Sequence, residues 1–329
     1  MAPRTHEQWV ADQTQPMPAV VTADLSGKTL VLIGANAGLG FEAAKHFARM
    51  NPARLVLTAR DEAKGRQALA QIQADTGYSK AELWIIDLAN FSSVVEFADR
   101  AERELDRLDV LVESAGMITW KYEQVEGWEK TLHTNNLGPG LLAIRMIPKV
   151  LETARKHSVT PRLVVVASDM HYWTKIERDV IASPSILAKL SDKEYCTKEV
   201  MDHRYHDSKH LHVTAITANS VTPGLCFSGL GSGAPAEQAE RLRTRQEEFA
   251  FTTEEGSRQL VYGAVGSLED EEKLRGKYIC MSEVVEESDF VISEDGKIVQ
   301  DKVWEEMLEI FGQIDPKVSE VVKMYLTKA

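Results

Sequence analysis

Residues 29–40 read Thr-Leu-Val-Leu-Ile-Gly-Ala-Asn-Ala-Gly-Leu-Gly, and this stretch determines how the rest of the chain is interpreted. Residues 30–33 form a short apolar run, which is typical of a strand buried on both faces of a parallel sheet. Glycine recurs after that run, and the next apolar residues, within 41–48, follow helical spacing. Strand, glycine-rich turn and helix form the arrangement that directs backbone N–H groups and a helix N-terminus at a pyrophosphate.

Three glycines in this turn, Gly34, Gly38 and Gly40, follow the spacing Gly-x-x-x-Gly-x-Gly. Gly34 permits the tight turn, while Gly38 and Gly40 leave room where a ligand and the helix must approach. With Asn36 and Leu39 they form the predicted cofactor loop. No Gly-Lys-Ser/Thr follows, which argues against a nucleoside-triphosphate loop. Glycine-rich turns also occur for packing alone, so the rest of the chain must support this interpretation.

Composition predicts one large α/β domain. With 329 residues, 43% of them hydrophobic, the chain can bury a substantial core. A net charge of −12 and the lack of a long basic run argue against nucleic acid or an anionic membrane surface as partner. No apolar run approaches the ~20 residues of a membrane span. Cys196, Cys226 and Cys280 form no Cys-x-x-Cys pair, so we expect a cytoplasmic protein without a disulfide framework. Residues 1–25 are predicted to form an extended polar N-terminal arm.

Cofactor choice is predicted from the end of the second strand, residues 55–58, which is followed by Arg60 and Asp61. In a dinucleotide fold this strand end lies beside the adenosine ribose. Arg60 would present a planar fork to the 2′-phosphate of NADP, whereas the Asp61 carboxylate would bind the 2′-hydroxyl of NAD. An ordinary surface arginine at the start of a helix is the alternative. The sequence therefore favours NADP over NAD.

Two further strands end in residues that would border the cofactor. The third, residues 82–86, is followed by Asp87 and Leu88, and the aspartate would cap the next helix, contact the adenine, or do both. The fourth, residues 108–112, is followed by Glu113-Ser114-Ala115-Gly116, whose small residues let the backbone close on a cofactor.

A reactive set follows the fifth strand, residues 162–168, which delivers Ser168 at its carboxyl end, where open α/β sheets place their sites. Tyr205 and Lys209 are separated by four residues and therefore share one face of a helix. A ketone that accepts hydride from a nicotinamide needs a proton on its oxygen. Tyrosine, with a pKa near ~10, is a weak acid or base at neutral pH unless a nearby ammonium favours the phenolate. We therefore expect Tyr205 to donate or accept the proton and Lys209 to lower its pKa.

Taken together, these residues resemble the short-chain dehydrogenase/reductase family. Ser168, Tyr205 and Lys209 match its catalytic triad, and alignment on Gly138 makes Asn135 the fourth member, with Asn136 as the competing assignment. The resemblance runs from about residue 25 to residue 278. It implies a doubly wound parallel sheet, the Rossmann fold, in a single domain over residues 26–329.

The resemblance also implies the cofactor contacts. Pro223-Gly224 ends the sixth strand, and Ser228 stands where the family often has a threonine that touches the nicotinamide. Glu113 and Ser114 depart from the usual Asn-Asn-Ala-Gly segment, while the two residues after them match it. The expected cofactor-binding residues are Gly34, Asn36, Gly38, Leu39, Gly40, Arg60, Asp87, Leu88, Ser114, Gly116, Tyr205, Lys209, Pro223, Gly224 and Ser228.

The spacing of these motifs and the Gly276-Lys-Tyr-Ile segment resemble those of retinol-dehydrogenase-type and fungal secondary-metabolite reductases. The implied function is NADP-dependent interconversion of a carbonyl and an alcohol on a small apolar substrate, in secondary metabolism. The insertion 170–204, with Met170, Tyr172, Trp173, Ile186 and Leu190, would build the substrate pocket or its lid, although ordinary packing explains the same residues. A helix near 303–311 would cover the pocket or a partner chain.

A metal site is a competing interpretation of the tyrosine helix. His203, His206 and His210 fall on one face of it, as metal ligands would. No carboxylate or cysteine spacing completes a known site, and ketone reduction of this kind needs no metal, so we expect none.

One segment breaks the family pattern, because only residues 210–215 separate Lys209 from the predicted sixth strand, residues 216–221. A six-residue strand spans ~20 Å, whereas six helical residues advance ~9 Å. The family has a longer helix here, commonly part of a dimer interface, so a homo-oligomer is a further expectation. A largely extended return, a rearranged or inactive enzyme, and an exon missing from the gene model are the three explanations. The alternative function is therefore a catalytically impaired dinucleotide-binding protein.

Overall fold

Short apolar runs alternate with amphipathic helices along this chain, and the runs become the strands of one central sheet. The computed structural model describes residues 5–215, 219–270 and 272–326, and within them this sheet has eight strands. In chain order the strands are β1 Thr29–Ile33, β2 Arg54–Ala59, β3 Ala81–Ile85, β4 Val110–Glu113, β5 Arg162–Val166, β6 Asn219–Val221, β7 Lys277–Cys280 and β8 Glu283–Val285.

The order across the sheet is β8-β7-β6-β5-β4-β1-β2-β3. Every neighbouring pair is parallel except β7 and β8, which are antiparallel. The strand order reverses between β1 and β4, and open α/β sheets bind ligands in the crevice outside the carboxyl ends of such strands. The predicted doubly wound fold is therefore confirmed.

Helices cover both faces of the sheet. The longer ones are α1 His6–Gln13, α2 Gly38–Arg49, α3 Glu62–Thr76, α4 Phe91–Glu104, α5 Gly138–His157, α6 Lys198–Ala215, α7 Ala236–Phe249, α8 Thr253–Val265 and α9 Glu294–Ile314. Residues alternate between the two faces, so that Leu30 and Leu32 pack towards α2 and α8 while Val31 packs towards α4 and α5. All three side chains are buried, which is why the strands read as continuous apolar runs.

The N-terminal arm differs from the extended segment that its prolines predict, because it contains helix α1. Thr5 and Gln8 form a capping box, in which each side chain accepts a hydrogen bond from the other residue's backbone N–H. Trp9 and Gln13, one turn apart, are both buried against the rest of the chain. Local capping and tertiary burial together stabilise a helix that has little amphipathic pattern of its own.

The tyrosine helix α6 ends at Ala215, six residues after Lys209, so residues 210–215 are helical rather than extended. Strand β6 begins at Asn219 and pairs its three residues with Val164–Val166 at the carboxyl end of β5. A three-residue strand spans ~10 Å, which matches the ~9 Å advance of six helical residues. The described part of β6, Asn219–Val221, is therefore matched in length by the helical advance. Residues 216–218, the first half of the predicted strand, lie outside the described residues.

The insertion and the C-terminal helix α9 pack on each other. Ile186 and Leu190, expected near the substrate, lie instead in the same core as the buried stripe of α9. The Glu306 carboxylate accepts hydrogen bonds from the Ser185 hydroxyl and from the backbone N–H groups of residues 186 and 187. The buried stripe of α9 thus packs against the chain's own insertion.

None of the described helices is both long and apolar enough to cross a bilayer. The three cysteines are buried, and no disulfide joins any of them within the described residues.

Phe311→Ala should lower the free energy of unfolding by about 3–5 kcal/mol, because the side chain is fully buried and its removal leaves a cavity in the core. Urea-induced unfolding followed by circular dichroism measures this change. Ile298→Ala in the same helix is the control, since Ile298 is 51% exposed and its truncation should change stability by less than ~1 kcal/mol. Equal losses in the two variants would contradict the packing described for α9.

Candidate active site

Close approach of backbone segments shapes the cofactor loop. Gly34 has φ +84°, in the left-handed region, and a Cβ there would lie 2.8 Å from the Ala115 Cβ. A Cβ at Gly40 would overlap the Gly34 carbonyl oxygen. Any larger residue at positions 34 or 40 would therefore separate β1, β4 and helix α2.

The N-terminus of α2 suits an anion. Gly38 has φ +62°, and a Cβ built there would meet no heavy atom within 4 Å, so the space above it is open. Ala37, at the N-cap, provides no side-chain hydrogen bond to the first turn. The helix N-terminus therefore keeps N–H groups for a phosphate. Asn36 and Leu39 are half-buried on either side of this turn, and the loop fits a dinucleotide.

Arg60 and Asp61 have different roles after β2. Asp61 is the N-cap of α3, and its Oδ1 accepts the Lys64 backbone N–H at 2.9 Å. Arg60 is exposed, and no hydrogen bond or ion pair of its side chain is found among the described residues. The Asp61 carboxylate thus caps helix α3, while the Arg60 guanidinium is accessible at the end of β2.

Asp87 and Leu88 border the loop after β3. Asp87 does not cap α4, because Asn90 holds that position and accepts the Ser93 N–H. Instead, Asp87 Oδ1 accepts the backbone N–H of Ala89 at 3.0 Å and shapes the turn. Leu88 is buried in the core, so only its backbone can face a cofactor.

The segment after β4 meets the catalytic helix. Ser114 is half-buried and donates its backbone N–H to the Ile33 carbonyl, which continues the pairing of β4 with β1. A Cβ on Gly116 would lie 3.6 Å from Asn135 Oδ1 and 3.9 Å from Lys209 Nζ. Gly116 therefore leaves a gap beside two of the predicted catalytic side chains.

Ser168 and Tyr205 lie together, as the sequence predicts. Ser168 is close enough to act as a hydrogen-bonding neighbour of the phenol, and the Ser168 hydroxyl accepts the Met170 backbone N–H at 3.3 Å. Burial raises the pKa of Tyr205 above its ordinary value, while hydrogen bonding with Ser168 acts in the opposite direction. The protein alone therefore does not lower the pKa of Tyr205 in the way that the sequence predicts.

Lys209 is placed close to Tyr205 but is held by the backbone. Its Nζ lies 5.6 Å from the centre of the Tyr205 ring and donates a hydrogen bond of 2.6 Å to the Val166 carbonyl oxygen. Burial lowers the pKa of Lys209 to about 8, so the ammonium form still predominates at neutral pH, but its charge is directed at the Val166 carbonyl. This geometry explains why Lys209 does not lower the Tyr205 pKa here.

Both asparagines anchor the catalytic helix. Asn135 donates to the Met117 carbonyl and to the Ser208 hydroxyl, while its Oδ1 accepts the Met117 N–H. Asn136 donates to the Ser208 carbonyl at 2.8 Å. They belong to a π-helical turn, His133–Leu137, an irregularity often found at functional sites. Of the two, only Asn135 lies beside the gap at Gly116, which supports Asn135 over Asn136 as the fourth member of the catalytic set.

The segment after β6 closes the site on its remaining side. Pro223 is buried, and Gly224 has φ +70°. The Ser228 hydroxyl accepts the Leu230 N–H at 3.4 Å in a short 3₁₀ turn. The Cys226 thiol donates a hydrogen bond to the Pro223 carbonyl oxygen at 3.3 Å and so closes the turn after β6.

Of the three histidines of α6 that were considered as metal ligands, the side chains of His203 and His206 are described. The rings of His203 and His206 are 5.4 Å apart, and burial lowers the pKa of His206 to about 4. The His210 side chain lies outside the described residues. Within the described part of the chain, no three His, Cys, Asp or Glu side chains are grouped as metal ligands would be.

Two buried charged residues beside the site have no sequence motif. Arg204 directly precedes Tyr205; its guanidinium donates to the Leu190 carbonyl, and its Nε lies 3.7 Å from the Glu129 carboxylate, both side chains being fully buried. Glu113 at the end of β4 is 4% exposed, and its carboxyl oxygens have no hydrogen-bond partner among the described residues. Burial raises the pKa of Glu113 to about 8. In the sequence, Glu113 could have been noticed as an acidic residue at the end of an apolar strand. No sequence pattern points to Arg204.

Comparison with known proteins agrees with this geometry. The short chain dehydrogenase family model matches residues 28–170. The short chain dehydrogenase/reductase dmxR8 of Cryptosporiopsis sp. is 33% identical, over 91% of this chain and 94% of that relative. The chain belongs to the short-chain dehydrogenase/reductase family. As a family member it is an oxidoreductase that binds a nicotinamide dinucleotide and acts on a small molecule.

Further relatives and solved structures agree with this family. Short chain dehydrogenase FGM9 of Gibberella zeae is 31% identical over 95% of this chain and 93% of its own. A short-chain type dehydrogenase/reductase from Mycobacterium marinum has a TM-score of 0.58 at 20% identity, covering 82% of this chain and 97% of that one. Salutaridine reductase from Papaver somniferum has a TM-score of 0.54 at 20% identity, covering 76% of this chain and 99% of that one. At these identities the structures support the fold alone.

Glu113→Gln should change how stability depends on pH. The folded state retains the Glu113 proton up to pH about 8, whereas the unfolded state releases it near 4.5, so the free energy of unfolding falls as the pH rises between these values. The glutamine variant lacks this loss and should be more stable than wild type by about 2–5 kcal/mol at pH 8, with a much smaller difference at pH 4.5. Denaturant unfolding at both values measures the effect. Glu96→Gln on the exposed side of α4 is the control, and a wild-type-like pH dependence in Glu113→Gln would contradict the buried neutral acid.

Proposed function

We propose that this protein is an NADP-dependent oxidoreductase that interconverts a carbonyl and an alcohol on a small apolar substrate. The observation that carries the proposal is the grouping of Tyr205, Lys209 and Ser168 at the carboxyl edge of a dinucleotide fold, with Lys209 5.6 Å from the tyrosine ring and Ser168 acting on the Tyr205 pKa. This is the group of side chains that a carbonyl needs when its carbon receives a hydride and its oxygen receives a proton.

Each residue has a distinct task in the proposed reaction. The nicotinamide, when bound, supplies or accepts the hydride. Tyr205 transfers its phenolic proton to the developing alkoxide, or takes it back in the oxidation direction. Ser168 donates a hydrogen bond to the same substrate oxygen and favours the charge that forms there. Lys209 and Asn135 both border the gap at Gly116; after reduction the Lys209 ammonium returns a proton to Tyr205, and Asn135 holds the proton relay in position.

The preference for NADP rests on Arg60. Its guanidinium is exposed at the end of β2, and Asp61, the residue that would instead favour NAD, is held as the cap of α3. A guanidinium binds a phosphate in a bidentate manner, which a ribose hydroxyl cannot match.

An apolar substrate is supported by the surface near the site. Three of the exposed large hydrophobic side chains, Trp173, Phe227 and Leu230, lie on the two loops that follow β5 and β6. These loops leave the sheet at its carboxyl edge, where the substrate must meet the nicotinamide. A role in secondary metabolism is proposed from the similarity to relatives such as dmxR8. The cytoplasmic location and the homo-oligomer stay predictions.

Tyr205→Phe should lower kcat at least about 100-fold, because it removes the proton donor and leaves the ring in place. Affinity for NADPH, measured by fluorescence titration, should stay within about twofold of wild type. Tyr195→Phe is the matched control, since Tyr195 is half-buried nearby and has no proposed role. Unchanged turnover in Tyr205→Phe would disprove the mechanism. NADPH binding without carbonyl reduction by the wild type would favour the impaired dinucleotide-binding protein.

Arg60→Gln should weaken NADPH binding about tenfold or more while changing NADH binding little, because only NADPH carries the 2′-phosphate. Separate fluorescence titrations with the two cofactors measure both affinities. Arg66→Gln, an exposed arginine one turn into α3, is the control and should alter neither. Equal losses for both cofactors, or a wild type that binds NADH more tightly, would contradict the assignment of Arg60.

A further inference from the structure

Helix α7 and its flanking turns form a lid segment (residues 228–248) that is weakly held by its own packing. Within α7 no residue is buried. The lid segment leaves and rejoins the protein through a stem, residues 225–227 and 249–251, whose two strands are joined by backbone hydrogen bonds from Phe227 to Phe251 and from Phe251 to Leu225. Position and mobility of the lid segment therefore depend on contacts at the stem.

Gln13 of the N-terminal helix joins the two strands of this stem. Its side-chain amide donates to the Leu225 carbonyl at 3.2 Å and to the Phe249 carbonyl at 2.9 Å, while its Oε1 accepts the Leu225 N–H at 2.9 Å. The Gln13 side chain is 6% exposed, so these three bonds are shielded from water. A side chain at Gly224 would overlap Gln13 Oε1, so the glycine after Pro223 makes room for this contact.

Trp9 connects the same stem to the loop that follows Ser168. Its ring packs edge-on against Trp173 and against Phe249, with both centroid distances 5.9 Å. Trp9 is 4% exposed, whereas Trp173 is 37% exposed and so presents one side of its ring outward. Aromatic pairs in this geometry are worth about 0.5–1.5 kcal/mol beyond the area they bury.

We propose that the N-terminal helix α1 is a positioning element of the active site, in which Gln13 fixes the lid segment and Trp9 orients Trp173 as an apolar contact for the substrate. The inference rests on the proposed function for its substrate part alone. It assigns the substrate class as carbonyl compounds with a flat apolar ring system that can stack on an indole. The thiol of the stem residue Cys226 donates a hydrogen bond to the Pro223 carbonyl oxygen at 3.3 Å, so fixing the stem also fixes the segment that follows β6 at the carboxyl edge of the sheet.

Hydrogen exchange of the full-length protein tests the positioning claim without any substrate. In Gln13→Ala, peptides from the lid segment should exchange about tenfold faster or more, because three hydrogen bonds at the stem are lost. Peptides from β1, β4 and β5 should be unchanged. Gln15→Ala, an exposed glutamine on the same arm, is the matched control. Lid exchange equal to that of the control, or equal acceleration in the central strands, would overturn the claim.

Kinetics with 1-tetralone and 2,3-butanedione test the substrate part. Trp9→Ala should raise KM for the bicyclic ketone about tenfold, change its kcat by less than about threefold, and leave KM for butanedione near the wild-type value. Trp9→Phe, which keeps an aromatic edge, should recover most of the loss. Equal effects on both ketones, or an effect on kcat alone, would overturn the assignment. If the wild type reduces no carbonyl, the proposed function and the substrate assignment both fail, while the exchange result decides the positioning claim by itself.

Discussion

Backbone packing against backbone at the glycine turn is the constraint on which the rest of the structure depends. Gly40 approaches the Gly34 carbonyl, and Gly34 approaches Ala115 of the neighbouring strand end, so β1, β4 and helix α2 meet without intervening side chains. That contact opens the crevice at the reversal of strand order and leaves the N-terminus of α2 free for a phosphate. The same edge receives Gly116, which leaves the gap between Asn135 and Lys209. Cofactor site and proton-transfer site are thus two consequences of one packing arrangement.

The catalytic helix is held at this edge from several directions. Asn135 and Asn136 bind Ser208 in the middle of the helix, and Arg204 at the preceding turn reaches Glu129 and the insertion. Buried charged pairs of this kind are costly to break and therefore restrict the helix to one position. Lys209 is bonded to the Val166 carbonyl, and burial raises the pKa of Tyr205. The protein therefore places the two groups together but does not ionise the phenol by itself.

Much of this could be predicted from sequence because it follows from local patterns. Apolar runs ending at glycine or serine indicated β1 and β5, and the four-residue spacing of Tyr205 and Lys209 indicated their shared helix face. Tertiary contacts could not be predicted in the same way. Gln13 and Trp9 lie far along the chain from Trp173 and from the stem, and nothing near them in sequence indicates the contact. The predicted sixth strand came from a continuous pattern, and its second half, Asn219–Val221, pairs with β5 in the described part of the chain.

Isotope transfer is the most direct test of the central claim that this protein moves a hydride to a carbonyl carbon while Tyr205 supplies the proton. The wild-type protein would be incubated with 1-tetralone and NADPH deuterated at C4, in each of the two stereoisomers, and the alcohol analysed by mass spectrometry. We expect one deuterium at the carbinol carbon from one stereoisomer, and loss of the labelled product in Tyr205→Phe. Alcohol formed without deuterium from either stereoisomer, or labelled product formed equally well by Tyr205→Phe, would contradict this claim.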